Sequence, residues 1–418
     1  MSTAPRFDAV IIGAGAAGLF CASQAGQRGV KVLLLDHAAK VAEKIRISGG
    51  GRCNFTNVQA QPANYLSQNP HFCRSALSRY TAQDFIALVQ RHGIAFHEKH
   101  KGQLFCDRSA GDIIDMLVRE CDAGGVTRWQ PCAVESVAHD GEVGDYVLLT
   151  ARGEVRAPKV VLACGGLSIP KIGATDLAWR LAEQFGLRTV APRPGLVPLT
   201  FDARQWQPFA ALAGVSLPVE ISVEVAQGKR KQCMRFCEDL LFTHRGLSGP
   251  AILQISSYWL DGQPLQINLI PDADSPLSDA PQRAPLLEQL LAAKARGSRK
   301  LVANEVGNYL PSRLLDHWLA GHPGCQRSLA ETADKALQQL CLSLQQWEIT
   351  PNGSEGYAKA EVTLGGIDTR DVSSQTMETR QPGLYVIGEA MDVTGWLGGY
   401  NFQWSWASAH ACAQALAP

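Results

Sequence analysis

Short, fully apolar runs alternate along this chain with stretches of helical apolar spacing. Ala9 to Ile12 is apolar and leads directly into Gly13-Ala14-Gly15-Ala16-Ala17-Gly18. Small residues then continue as a predicted helix that stops at Gly29, and a second apolar run, Val30 to Leu35, ends on Asp36. Continuous apolar runs of this length predict strands buried on both faces, as in a parallel sheet covered by helices. Val160 to Ala163 and Leu384 to Ile387 predict two more, running into Cys164-Gly165-Gly166 and Gly388-Glu389. Helical spacing covers Ala82 to His92, Asp112 to Gly124 and Asp176 to Phe185, the last closed by Gly186. Cys132 to Ala138 and Asp145 to Ala151 predict paired strands about a turn at Asp140-Gly141.

Beyond Pro192 the texture changes. Leu196 to Phe201, Leu217 to Val225 and Leu265 to Leu269 predict strands of a β-rich module. Residues 271 to 285 are rich in Pro and Asp and predict a loop, while Leu286 to Ala320 and Leu329 to Gln346 predict helices. A strand-like AEVTL follows, and a last helix is expected over Phe402 to Leu416. The pattern therefore predicts an α/β protein with a split Rossmann-like domain, residues 1–190 and 354–418. An inserted β-rich domain is expected at 191–275 and 347–353, with a helical subdomain at 276–346.

Composition changes this picture little. A chain of 418 residues is long enough for more than one core, and 46% hydrophobic with 19% charged residues suits a compact enzyme. Lys+Arg and Asp+Glu are both 39, so no global field draws the chain to nucleic acid or anionic lipid. No apolar stretch approaches the roughly 20 residues of a membrane span. The opening apolar run is short, broken by glycine and absorbed by the nucleotide motif, so a cytoplasmic location is expected. Twelve cysteines without a repeating pattern predict reduced, mostly buried thiols.

The opening segment carries most of the chemistry. Strand, GxGxxG, helix, strand and terminal acid occur in order, which predicts a dinucleotide site. Gly13 permits the tight turn, Gly15 lets backbone approach a pyrophosphate, and Gly18 lets helix and strand pack closely. The helix N-terminus receives the phosphate charge, and Asp36 can accept from ribose hydroxyls. Three glycine-bearing strand ends exceed what a nicotinamide dehydrogenase needs and point to FAD. In such a site Gly388-Glu389 lies beside the ribityl chain. A helix starting near Gly398-Gly399-Tyr400-Asn401 faces the flavin edge that becomes negative on reduction.

The segment Arg46-Ile-Ser-Gly-Gly-Gly-Arg-Cys-Asn-Phe-Thr-Asn57 resembles the ISGGGRCNxTN signature of the HI0933-like flavoproteins, also called the BaiN/RdsA or YhiN group. Leu162 to Lys171, Leu241 to Pro250, Gly388 to Asp392 and Thr394 to Gln403 resemble further blocks of that family, in family order. The resemblance implies FAD, a two-dinucleotide-domain flavoprotein fold, an inserted flattened β-barrel and a small helical subdomain. It implies that Gly13, Ala14, Gly15, Ala17 and Gly18 hold the diphosphate and Asp36 the ribose. Lys44, Gly51, Arg52, Cys53, Asn54 and Thr56 would line the ribityl and ring region. Glu389, Gly399, Tyr400, Asn401 and Phe402 would close the flavin side, with Cys164, Gly165 and Gly388 at the strand ends. Val134 would meet adenine through its backbone. Cys164 departs from the family, where many relatives carry Thr, and so lacks one hydroxyl.

Candidate catalytic residues are His244 and Arg245, which can bind a carbonyl or carboxylate and handle a proton. The alternative is a turn that docks the insert. Cys53 reads as a small structural residue more readily than as a reactive thiol. His97, Glu98 and His100 are too few for a metal site, so no metal is expected. The chemistry expected is FAD-dependent oxidoreduction of a small organic substrate, with NAD(P)H as a candidate donor and without nucleic acid. The alternative is a flavin-dependent factor that modifies RNA or binds a partner.

Overall fold

A computed structural model describes residues 4–227, 230–271 and 285–417. The chain divides into two units, Met1–Pro194 with Glu361–Pro418, and Gly195–Ala360. The first unit is built on five parallel strands: β1 (Ala9–Ile12), β2 (Val32–Leu35), β3 (Thr127–Trp129), β4 (Lys159–Leu162) and β5 (Leu384–Val386). Their order is β5-β4-β1-β2-β3. Ile12 pairs with Leu162 on one side and Leu35 on the other, and Leu162 pairs with Val386. The chain thus leaves β1 in one direction and returns on its other side as β4. Such a reversal of strand order opens a crevice at the carboxyl ends of the strands.

Every residue of β1, β2 and β5 is buried, which is why these strands are apolar without alternation. Helix α1 (Ala16–Gly26) packs against the helix Gly111–Ala123 on one side and α3 (Tyr400–Leu416) on another; α2 (Glu43–Ile47) is a single short turn after β2. The tryptophans crowded near the C-terminus explain the depth of α3. Trp404 and Trp406 are 1% and 0% exposed. The Trp406 ring stacks on Phe85 at 4.2 Å, and its indole nitrogen donates to the Phe55 carbonyl at 2.8 Å. A buried indole needs such an acceptor.

The second unit holds a seven-stranded antiparallel sheet. Its order is Trp347–Ile349, Leu265–Asn268, Ser216–Gln227, Arg230–Phe242, Gly246–Ser248, Leu199–Thr200 and Gly353–Ser354. The two end strands are separated along the chain only by residues 350 to 352, a span of roughly 14 Å at most. The sheet must therefore roll toward closure, as the expected flattened barrel does. The strand expected at Leu196 to Phe201 is shorter, Leu199–Thr200. The helix expected over Leu286 to Ala320 is three helices, Leu286–Ala295, Val302–Val306 and Ser312–Ala320. Gly297, at φ +77°, ends the first, and Pro311 restricts the backbone before the third. The expected loop at 271 to 285 falls on residues 272–284, outside the described residues.

Buried acids tie the first unit together. Asp371, its side chain 3% exposed, accepts from the Arg188 backbone N–H at 2.7 Å and from its guanidinium at 3.0 and 2.5 Å. Arg188 lowers the Asp371 carboxyl below the usual carboxylate range, as Arg370 does for Asp368 and Arg6 for Asp145. A lowered native value gives stability that is complete above the unfolded value near pH 4 and lost as pH falls toward the native one. Asp371→Asn is therefore expected to lower the melting temperature at pH 7. The difference from wild type should shrink below about pH 4; a constant difference across a pH series of thermal melts contradicts this.

Candidate functional site

The glycine motif takes the shape its spacing predicts. Gly13, at φ +112°, turns the chain after β1, and its N–H donates to the Leu35 carbonyl at 2.7 Å. A Cβ on Gly18 would lie 1.8 Å from the Gly13 carbonyl oxygen, so only glycine lets α1 sit this close to the strand end. A Cβ on Gly15 would meet nothing within 4 Å. Gly15 is the N-cap of α1, with no side chain bonded to the helix start. The first amides of α1 therefore lack a side-chain cap and adjoin open space, the arrangement an anionic ligand exploits. Asp36 accepts from Ala14 N–H at 2.6 Å and Ala38 N–H at 2.8 Å, which leaves lone pairs on both oxygens.

The other two strand ends meet this one. The Ala163 N–H donates to Ile12, and the Ile387 N–H to Leu162. Gly388 is at φ +67° and faces the Ala17 methyl, while its N–H donates to the Ser408 hydroxyl at 3.0 Å. The Trp404 indole donates to the Gly388 carbonyl at 3.1 Å, so α3 pins the turn after β5. Cys164 lies half-buried with its thiol 3.5 Å from the Ile12 carbonyl, and burial pushes that thiol up to about 12. Gly165 and Gly51, at φ +71° and +86°, also face open space.

Lys44 and Glu389 form the charged centre of the site. The Lys44 ammonium lies 2.5 Å from one Glu389 oxygen and donates to the Ser168 hydroxyl at 2.7 Å. The other Glu389 oxygen accepts from the Thr363 N–H at 2.9 Å and the Ser168 hydroxyl at 3.3 Å. Two of roughly four acceptor positions on the carboxylate are thus taken within the chain, and a third is shared, because the one Ser168 hydroxyl proton also faces the Glu361 carbonyl at 3.2 Å. Lys44, expected to line the ribityl and ring region, is matched in charge by Glu389. Ser168 and Thr363 were missed by sequence reasoning. Ser168 lies inside a family-like block, but nothing about Thr363 marks it until the fold brings it here. Gly166 is glycine for the same reason, since a Cβ there would lie 2.6 Å from Glu389.

The Gly-rich loop packs beneath α3. Cys53 is fully buried, and burial pushes its thiol well above the ordinary range, which suits a structural residue. Thr56 is also fully buried and donates to Gln403 at 2.7 Å, so its side chain serves packing. Asn54 lies in the strand Asn54–Asn57, its amide beside Gln103, and Arg52 is exposed. Gly399, at φ +93°, caps α3 where a Cβ would sit 2.4 Å from the Thr56 carbonyl. The Asn401 amide closes onto the Gly395 backbone in both directions, at 2.8 and 2.9 Å. Tyr400 is buried and Phe402 stacks toward Trp406, so both support the helix start. Val134 begins the strand Val134–Asp140, two residues after Cys132, whose N–H donates to the Asp36 carbonyl at 2.6 Å.

A model of the HI0933-like protein Rossmann domain matches residues 7–415. The chain belongs to the HI0933-like family. It is a flavin-dependent oxidoreductase with FAD as cofactor. The open glycine cradle at α1 and the acid after β2 fit the adenosine diphosphate of that cofactor. Over 413 residues this chain is 51% identical to the ribosomal RNA dihydrouridine synthase of Escherichia coli (strain K12), covering 98% of each. It is 44% identical over 412 residues to the protein of that name from Haemophilus influenzae, covering 97% of this chain and 98% of that one. It is 26% identical over 421 residues to the 3-dehydro-bile acid delta(4,6)-reductase of Clostridium scindens, covering 97% and 98%. An HI0933-like chain with these relatives gives no support to the expectation that nucleic acid is excluded.

His244 and Arg245 belong to the second unit of this HI0933-like chain, at a tight turn between the strands Arg230–Phe242 and Gly246–Ser248. Arg245 is engaged by Glu355 at 3.2 Å. His97 pairs with Asp107 at 2.6 Å, and among the described residues no group of three potential metal ligands occurs. No described helix is long and apolar enough to cross a membrane.

Proposed function

We propose that this protein reduces uridine in ribosomal RNA to dihydrouridine, with FAD bound at the glycine cradle and a pyridine nucleotide as the electron source. The observation that carries this reading is the 51% identity, over essentially the whole of both chains, to a protein named for that reaction. The more distant bile acid reductase supports the same type of chemistry. Both names describe saturation of a carbon–carbon double bond conjugated to a carbonyl. In each case a hydride and a proton are added across that bond, and the donor loses the same two electrons. FAD, when bound and reduced, would supply the hydride.

The residues of this chain bind and orient. The amides at the start of α1, with Gly13, Gly15 and Gly18, receive the diphosphate, and Asp36 accepts from the adenosine ribose. Lys44, Ser168 and Glu389 fix the positions of α2, the loop after β4 and the turn after β5 around the ribityl chain. Glu389 keeps one acceptor position for a ribityl hydroxyl. The first amides of α3 stabilise negative charge at the flavin edge. Arg52 lies on the exposed side of the Gly-rich loop and supplies a cation there.

Ribosomal RNA from a strain lacking the gene is the test substrate. Incubation under nitrogen with the holoprotein and NADPH or NADH should bleach the flavin and add two hydrogens to a uridine, read by nucleoside mass spectrometry. RNA that stays unmodified, together with undiminished dihydrouridine in that strain, overturns the assignment.

A further inference from the structure

The second unit contains a groove of about 420 Å³ whose lining includes Thr200, Trp206, Gln207, His244, Arg245 and Asn352. That volume is within the range of small-ligand sites. Its wall is a rigid turn. The Thr243 hydroxyl donates to the Gly246 carbonyl at 2.9 Å and accepts from the Gly246 and Arg245 N–H groups at 3.1 and 3.3 Å. The Trp206 indole donates to the Thr243 carbonyl at 3.0 Å and fastens the floor to the same turn. The step from His244 to Arg245 is therefore held at the turn's tip, with both residues exposed.

The groove offers donors. Arg245, its side chain 74% exposed, spends part of its guanidinium on Glu355 and keeps further N–H groups. Thr200 donates to the Asn352 amide oxygen at 3.1 Å, which fixes the amide and leaves its NH₂ as a donor. Arg204 stands on the adjoining turn, whose cap Asp202 is occupied by the Arg204 N–H at 2.9 Å. Glu355 balances one edge of the Arg245 guanidinium and Asp202 caps its own turn, so the groove's remaining offer is the other guanidinium N–H groups and the Asn352 NH₂, which suit an anionic oxygen.

We propose that this groove seats a phosphodiester of the RNA substrate, with Arg245 and Asn352 gripping the phosphate and His244 beside it. The inference rests on the reading of the protein as an RNA-reducing enzyme. It makes the His244–Arg245 pair an RNA-docking element, and it places a local cationic contact on a chain whose net charge is zero. Phosphate contacts carry most of the affinity of such complexes and make it salt-dependent.

The test measures binding of the holoprotein to a ribosomal RNA fragment from the gene-deleted strain across a salt series. Arg245→Ala should weaken binding about tenfold to a hundredfold, the effect of one lost charge-assisted bond. It should also reduce the slope of log affinity against log salt by roughly 0.7–0.9. Arg245→Lys should keep the slope while losing part of the affinity, and His244→Ala with Arg245→Ala should exceed either change. Flavin content and melting temperature should match wild type. A double variant that binds RNA as wild type does, at the same slope, overturns the groove and leaves the enzyme assignment standing. So does a groove that takes inorganic phosphate without any variant altering RNA affinity. Wild-type protein that neither binds nor reduces the RNA removes both.

Discussion

Gly18→Ala is expected to yield protein that binds no flavin and melts well below wild type, whereas Gly15→Ala should fold normally and lose flavin alone. The two glycines lie three residues apart in one motif, but space treats them differently. A Cβ at position 18 would overlap the Gly13 carbonyl oxygen at 1.8 Å and press the Ala163 methyl at 3.2 Å. A backbone oxygen cannot step aside, so α1 must move off the sheet. Overpacking of this kind costs typically about 1–3 kcal/mol, and here it also displaces the amides that hold the diphosphate. At position 15 the added methyl meets nothing of the protein within 4 Å. It enters only the space assigned to the pyrophosphate, so the expected loss is affinity, about tenfold or more. Flavin absorbance per protein after dialysis, beside a thermal melt, separates the two effects. A flavin-replete Gly18→Ala protein of wild-type stability is the outcome that would falsify the packing argument. A flavin-replete Gly15→Ala protein would place the diphosphate elsewhere.

The glycine motif was legible in the sequence because it is local. Strand, turn, helix and acid lie within the 29 residues from Asp8 to Asp36, and Gly18 answers to Gly13 within the same segment. The two later strand ends were legible as strands, and the parallel sheet follows from their unbroken apolar runs. What brings them together is not local. Lys44 and Glu389 are 345 positions apart, and the Thr363 N–H that also serves Glu389 is a backbone group with no signature. The bonds a motif side chain makes are less local than its position. Thr56 and Asn401 sit where the motif puts them, yet Thr56 bonds Gln403 and Asn401 clasps the Gly395 backbone. A polar residue in a ligand motif has two ways to be satisfied, and only the fold shows which is used. The net charge is silent on local sites for a similar reason. Equal totals of acids and bases speak of the far field and do not describe any single surface turn, such as the one that exposes Arg245.

Glu389→Ala should leave a folded but weakened protein that sheds much of its flavin. The pair with Lys44 is only partly screened, the side chains being 33% and 17% exposed. Its loss should exceed the 0–1 kcal/mol of a surface pair and fall short of the 3–5 kcal/mol of a fully buried one, so about 2 kcal/mol is expected. The Thr363 N–H and the Ser168 hydroxyl lose their acceptor at the same time. Glu389→Gln keeps an oxygen for the Thr363 N–H and for a ribityl hydroxyl but not the charge for Lys44. It should therefore retain more flavin than the alanine variant while remaining less stable than wild type. Lys44→Ala supplies the third corner of a double-mutant cycle with Glu389→Ala. Residues in direct contact couple by roughly 0.5–3 kcal/mol, so the double variant should be more stable than the sum of the two single losses predicts. Additive melts would mean that the ion pair does not hold α2 to the turn after β5. Full flavin occupancy in Glu389→Ala after extensive dialysis would take Glu389 out of the cofactor site, since neither its bonds within the chain nor its remaining lone pair would then matter to the ligand.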